Sequence, residues 1–139
     1  MKKLVSILVI VGGTLAITAS AFATSAQNSI SPSHVRFGTV FSGTHPKKMA
    51  TLHNGSGVTQ KIGVVAIAGS GGNKFTLGSG TTCVAGLKLA PGATCGLNVR
   101  VHTTKNGWWR SVLRVTYTSG WNNSAQLEAH VINETLAPY

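Results

Sequence analysis

Aspartate is absent from this 139-residue chain, and its acidic side chains are two glutamates, Glu128 and Glu134. Hydrolysis by paired carboxylates, or by a nucleophile and base oriented by an acid, therefore has almost nothing to draw on. Glu134 follows the last apolar run and Glu128 falls on an outward position within it, so the two do not read as a pair. No catalytic residue is expected, and the chain is not read as an enzyme. Cysteine is nearly missing as well: Cys83 and Cys95 stand alone, at a separation that matches no zinc-ligand spacing. His34, His45, His53, His102 and His130, even with Met49 added, show no ligand spacing either, so neither a metal nor another cofactor is expected. The stretch Gly69 to Gly72 lacks the Gly-Lys-Ser or Gly-Lys-Thr ending of a phosphate loop, and no helical pattern follows it.

Among the features present, the N-terminus comes first. Lys2-Lys3, an apolar run from Leu4 to Ile17, and the small-x-small triplet Ala21-Phe22-Ala23 make residues 1–23 a secretory signal peptide, with a second acceptable cleavage after Ala26. Gly12-Gly13 and the hydroxyl residues weaken the rival reading, an uncleaved membrane anchor. No stable transmembrane anchor is expected, and with no cysteine at the junction there is no lipid attachment there. Residues 24–139, about 115 in number, suffice for one core and one domain. The expected location is periplasmic or secreted. In an oxidising compartment an even pair of thiols usually forms a disulfide, which makes Cys83–Cys95 the expected bond, with free thiols or a metal pair as the alternatives. A loop of that size is worth about 3 kcal/mol in the chain-entropy account.

The formal charge is +10; without Lys2 and Lys3, ten basic residues remain against two acids, a balance of about +8. Such a chain is drawn to polyanions, although solubility alone also explains the charge.

After the signal, apolar residues recur at every second position in short runs, and helical periodicity is absent. The expected strands are 33–40, 48–53, 58–68, 74–77, 95–103, 109–118 and 125–132, separated by turn-forming segments such as Asn54-Gly55-Ser56-Gly57, Pro91-Gly92 and Asn106-Gly107. The chain is all-β. About seven strands in one small domain point to an antiparallel β-sandwich, with a small closed barrel as the alternative. Alternation turns Trp109, Ser111, Leu113, Val115 and Tyr117 inward and Trp108, Arg110, Val112, Arg114 and Thr116 outward. Likewise Cys95, Leu97, Val99 and Val101 point in, with Asn98, Arg100 and His102 out, and Leu127, Ala129 and Val131 point in, with Glu128 and His130 out. A hairpin of the last two strands would bring Glu128 and His130 beside Arg110 and Arg114.

The order of segments carries a resemblance. Val35-Arg36-Phe37-Gly38-Thr39-Val40, then Ala50-Thr51-Leu52-His53-Asn54-Gly55, then Leu89-Ala90-Pro91-Gly92-Ala93-Thr94-Cys95, resemble the immunoglobulin-like domains of the ASPM, SPD-2 and Hydin (ASH) group. The form is that of exported bacterial proteins, often called choice-of-anchor D. After the fifth strand, where the family usually shows Phe, one residue and Pro, this chain has Val101-His102-Thr103-Thr104. The resemblance implies an immunoglobulin-like fold with one disulfide and a non-catalytic module that works by contact, its partner another envelope or surface protein. Within that frame Phe37 is expected to anchor an edge strand. Gly38 is expected to bend the first strand from one sheet to the other, and Asn54 to occupy a turn of positive φ.

One constellation has binding chemistry. Trp108, Arg110, Arg114 and Trp121, with Lys105, combine indole rings and cations that can stack on sugars and pair with anions. Trp109 is expected in the core, and Trp121 folded over the sandwich end. The alternative function is accordingly a basic carbohydrate or polyanion binder, with anionic polysaccharide the favoured ligand and nucleic acid disfavoured. A second alternative is a pilin-like assembly subunit. Mass spectrometry of the exported protein should find an N-terminus at Thr24 or Gln27 and a cross-linked peptide joining Cys83 to Cys95. A chain retaining Met1 would overturn the export reading.

Overall fold

In a computed structural model, which describes residues 27–133, the two-residue alternation resolves into strands with one buried and one open face. They are β1 (Ser29–Ser31), β2 (His34–Phe41), β3 (Lys47–His53), β4 (Gln60–Ala68), β5 (Phe75–Leu77), β6 (Lys88–Leu89), β7 (Thr94–Val101), β8 (Gly107–Tyr117) and β9 (Asn122–Ile132). A single 3-10 turn, Gly72–Lys74, precedes β5. The expected signal peptide lies outside the described residues, and among those residues no helix is long and apolar enough to cross a membrane. One sheet has the order β1-β3-β7-β5 and the other β2-β9-β8-β4-β6, stacked as a sandwich.

Seven of the nine strands coincide with expected ones to within a few residues at either end. The two additions are short. β1 has one apolar residue, Ile30, and β6 has two residues in all, so neither carries an alternation that could be read. Between β1 and β2 the chain changes sheets. β1 lies antiparallel to β3, whereas β2 runs parallel to β9, the one parallel pairing in the set. This corrects the expected role of Gly38. The switch falls at Pro32, whose missing N–H ends the β1 ladder, while Gly38 at φ +68 makes a bulge within β2 between Arg36 and Thr39. Phe37 turns inward on this edge strand and meets Phe75 across the sandwich, with ring centroids 5.9 Å apart.

The core is formed where the inner faces meet: Leu52 on β3, Leu97, Val99 and Val101 on β7, Leu113 and Val115 on β8, Leu127 and Val131 on β9. Burying a side chain of this size contributes about 1.5–3 kcal/mol. Trp109 lies half-buried against this cluster, its indole N–H donating to the Lys105 carbonyl at 2.9 Å.

Cys83 and Cys95 are bonded, and both are buried. The bond ties the connection between β5 and β6 to the start of β7, and the surrounding contacts are polar. Thr82 Oγ1 accepts from the Gly96 N–H at 2.7 Å, and the Asn98 side-chain amide donates to the Ser79 carbonyl at 2.6 Å. Asn98 is thus 8% exposed and not outward in solvent as alternation alone implies. It does face away from the core, but the connection covers it. The turn into β7 follows expectation: Ala93 N–H donates to the Ala90 carbonyl at 3.0 Å, and Gly92 holds φ +77, a conformation open to glycine.

Asn54 plays a different part from the one expected. No residue other than glycine has positive φ among those described. Asn54 is fully buried, and its side-chain amide donates to Leu89 O at 2.7 Å and Val58 O at 2.9 Å. Its oxygen accepts from the Ser56 N–H and hydroxyl at 3.0 and 2.6 Å. Its own backbone bonds the 90–93 turn in both directions, at 2.9 and 2.7 Å. One side chain therefore joins the loop after β3, β6 and the turn before β7. Asn54→Ala should lower unfolding free energy by about 3 kcal/mol in urea denaturation, because it strands several buried polar partners. A loss below about 1 kcal/mol would remove Asn54 from this role.

Candidate functional site

The outer face of the five-stranded sheet takes its side chains from β8, and β9 supplies their neighbours. In the β8–β9 register Trp108 faces His130, Arg110 faces Glu128 and Arg114 faces Ser124. Trp108 is 63% exposed, and its ring lies flat on the His130 imidazole with centroids 4.2 Å apart and planes 4° apart. Arg110 Nε donates to Glu128 Oε2 at 2.9 Å, and His34 Nε2 on β2 lies 3.9 Å from the same oxygen. Arg36 on β2 is in register with Glu128 from the other side. Because Arg110 is mostly exposed, its pair with Glu128 contributes less than about 1 kcal/mol. Arg114 stands between Ser124 and Ala66 and has no acid across from it.

Trp108, Arg110 and Arg114 thus form one row, with about 7 Å between alternate side chains along the strand. Val64 and Phe41 are also exposed on large apolar side chains. The stack of Trp108 on His130 was not legible from the residue types, since it depends on the hairpin register, which is set by the length of the β8–β9 turn.

Trp121 does not belong to this row; it lies at the far end of the sandwich. It sits in the β8–β9 turn, some 30 Å along the hairpin from Trp108, and is 76% exposed. There it lines a cavity of about 410 Å³ with Gln27, Asn28, Ser56, Gln60, Asn122 and Asn123. Beneath that cavity the Tyr117 hydroxyl donates to Asn123 Oδ1 at 2.9 Å, and burial pushes the Tyr117 phenol up from its ordinary pKa. Lys105 precedes Trp108 by three residues and is far from Trp121. It lines a cavity at the opposite end of the sandwich with His45, Lys74 and His102. Among the described residues no three or more His, Cys, Asp or Glu side chains converge as a metal site would require.

A further feature carries no residue-type signal at all. β6 pairs with β4 at Gln60 and Lys61 alone, so from Val64 to Ala68 the side of β4 facing away from β8 has no strand beside it. β5 is the matching edge of the other sheet. Clefts of about 480 and 250 Å³ run between these two edges, lined by Val64, Val65, Ile67, Leu77 and Val84 among others.

No protein-family model matches the chain, and no curated protein matches it. Solved structures do. The ASH/PapD-like domain of human CEP192 (PapD-like domain 7) gives a TM-score of 0.56 at 13% identity, covering 78% of this chain and 87% of that one. The secreted serine protease VesC from Vibrio cholerae gives 0.52 at 19%, covering 69% of this chain and 21% of the protease. The E. coli chaperone DraB gives 0.50 at 7%, covering 81% and 57%. This chain spans about a fifth of VesC and about a third of the V. cholerae protease VesB. At such identities the likeness establishes a fold, an immunoglobulin-like sandwich, and not an activity.

Proposed function

We propose that this chain is a non-catalytic exported immunoglobulin-like module, of the choice-of-anchor D form, that works by contact with another envelope or surface protein. The observation that carries this reading is the open edge between β4 and β5. Half of the backbone N–H and C=O groups of an edge strand point away from its sheet, and an added strand satisfies them while its alternate side chains enter the cleft. The β6 end of this edge is cationic: Lys61 and Lys88 face each other there. The fitting occupant is an extended apolar segment of a partner protein, flanked by acids. The closed disulfide supports an oxidising compartment as the place of action.

Photo-crosslinking side chains placed at Val64 and Thr76 in the exported protein should capture a distinct protein, and the same group at Thr39 should not. Absence of any product across growth states, or identical products from Thr39, would defeat the proposal. Products made only of this chain would instead identify a pilin-like assembly subunit.

A second reading, a basic carbohydrate or polyanion binder, is favoured by one observation: the broad exposed face of Trp108, held flat by His130, with Arg110 and the unpaired Arg114 in the same row. Retention on acidic polysaccharide should fall by about tenfold in Trp108→Ala/Arg110→Ala/Arg114→Ala, with the wild-type interaction weakened by salt. Unchanged retention removes this reading and leaves the first intact.

A further inference from the structure

The end of the sandwich away from Trp121 gathers positive charge without any partner for it. A cavity of about 360 Å³ is lined by His45, Lys74, His102, Thr103, Thr104 and Lys105. These residues come from separate segments: the β2–β3 connection, the 3-10 turn, and the β7–β8 connection. Two lysines and two imidazoles share the space, and among the described residues no carboxylate lines it. The single carboxylate side chain among the described residues, Glu128, is held by Arg110 on the outer sheet face.

The backbone around the cavity is fixed by bonds that leave the cationic groups free. His102 N–H donates to the Lys74 carbonyl at 2.7 Å, joining the 3-10 turn to the end of β7. Lys105 N–H donates to Thr103 Oγ1 at 3.0 Å, and the Ser42 hydroxyl donates to the Thr104 carbonyl at 2.9 Å. His45 Nδ1 lies 3.1 Å from the Val101 carbonyl, which can only accept, so that nitrogen carries the hydrogen. The His45 and His102 rings stack, with centroids 5.3 Å apart, and the Lys74 ammonium stands 5.0 Å over the Trp109 ring. Like charges crowded into one concavity repel, and a bound anion relieves that repulsion while gathering charge-assisted hydrogen bonds from several donors at once.

We infer that this cavity is an oxyanion site, taking a phosphate or carboxylate group between Lys74 and Lys105 with His102 as a further donor. It is separate from the Trp108 row and from the β4–β5 edge. The groups facing the imidazoles are the two ammonium groups, the Thr103 and Thr104 hydroxyls and the Val101 carbonyl.

The test is calorimetric titration of the exported protein with inorganic phosphate and, separately, glucuronate, with amide shifts of His102, Thr103 and Lys105 followed by NMR. Binding of either probe, at pH 7.5 or pH 5.5, is expected to shift those amides and to weaken by about tenfold in Lys74→Gln/Lys105→Gln. Which of the two binds tells phosphate from carboxylate as the ligand group. Arg110→Ala/Arg114→Ala should bind as the parent does, and if that variant loses binding while Lys74→Gln/Lys105→Gln keeps it, the inference is overturned. A chain ending at Asn133 settles the remaining case: if the probe binds only after residues 134–139 are removed, the site serves the chain's own carboxylates and an external oxyanion is ruled out. Thermal unfolding of each variant separates lost binding from lost folding. No shift at these amides with either anion at either pH also overturns it.

Discussion

The β8–β9 hairpin runs for ten rungs, from Gly107 opposite Val131 to Thr116 opposite Asn122, and the placement of the other strands follows from it. Because side chains alternate, a slip of one residue would send Leu113, Val115 and Tyr117 to solvent and bring Arg110 and Arg114 into the core. Burial of the inner row therefore determines the outer one: the same register that packs Leu113 beside Ala125 places Arg110 beside Glu128 and Trp108 over His130. β2 and β4 complete the sheet on either side of this pair, and the second sheet closes over its inner face.

The scarcity of acid is a second constraint, and it shapes the surface as strongly as the hairpin shapes the core. With one described glutamate, which Arg110 takes, every other cation must be stabilised by something else. Lys74 uses the face of Trp109, and Lys61 and Lys88 remain in solvent although they stand opposite each other. At the sandwich end the two lysines and two histidines are left to whatever anion reaches them. In a chain with ordinary acid content, neighbouring carboxylates would quench such clusters, and a cluster of cations would say little about ligands.

How much of this was legible depended on whether the determining contact was local. Strand positions and faces were readable along β7, β8 and β9 because a two-residue period reports burial directly. The covering of Asn98 was not, since it comes from Ser79 and Thr81, which lie many residues earlier in the chain. Asn54 misled for a related reason: an Asn-Gly pair between strands is a common turn signal, yet here the amide reaches Leu89 and Val58 and acts as a buried joint. The candidate residues Trp108, Arg110 and Arg114 were grouped correctly by alternation. Trp121 and Lys105 were added by proximity in sequence, and the length of a strand separates them.

The disulfide bears on the course of one connection. The connection from Gly78 to Leu87 leaves the β5 edge and is pinned against β7 by the Cys83–Cys95 bond and by Thr81 and Thr82. Its backbone bonds β4 at Ile62, where the Ile62 N–H meets the Leu87 carbonyl at 2.9 Å and the Gly86 N–H meets the Ile62 carbonyl at 2.7 Å. From Val64 to Ala68 the side of β4 facing away from β8 has no strand beside it, and Val84 and Ala85 of the connection line the cleft there with Val64 and Val65. The two cysteines contribute no chemistry of their own; their bond sets where the connection crosses from β7 to β4.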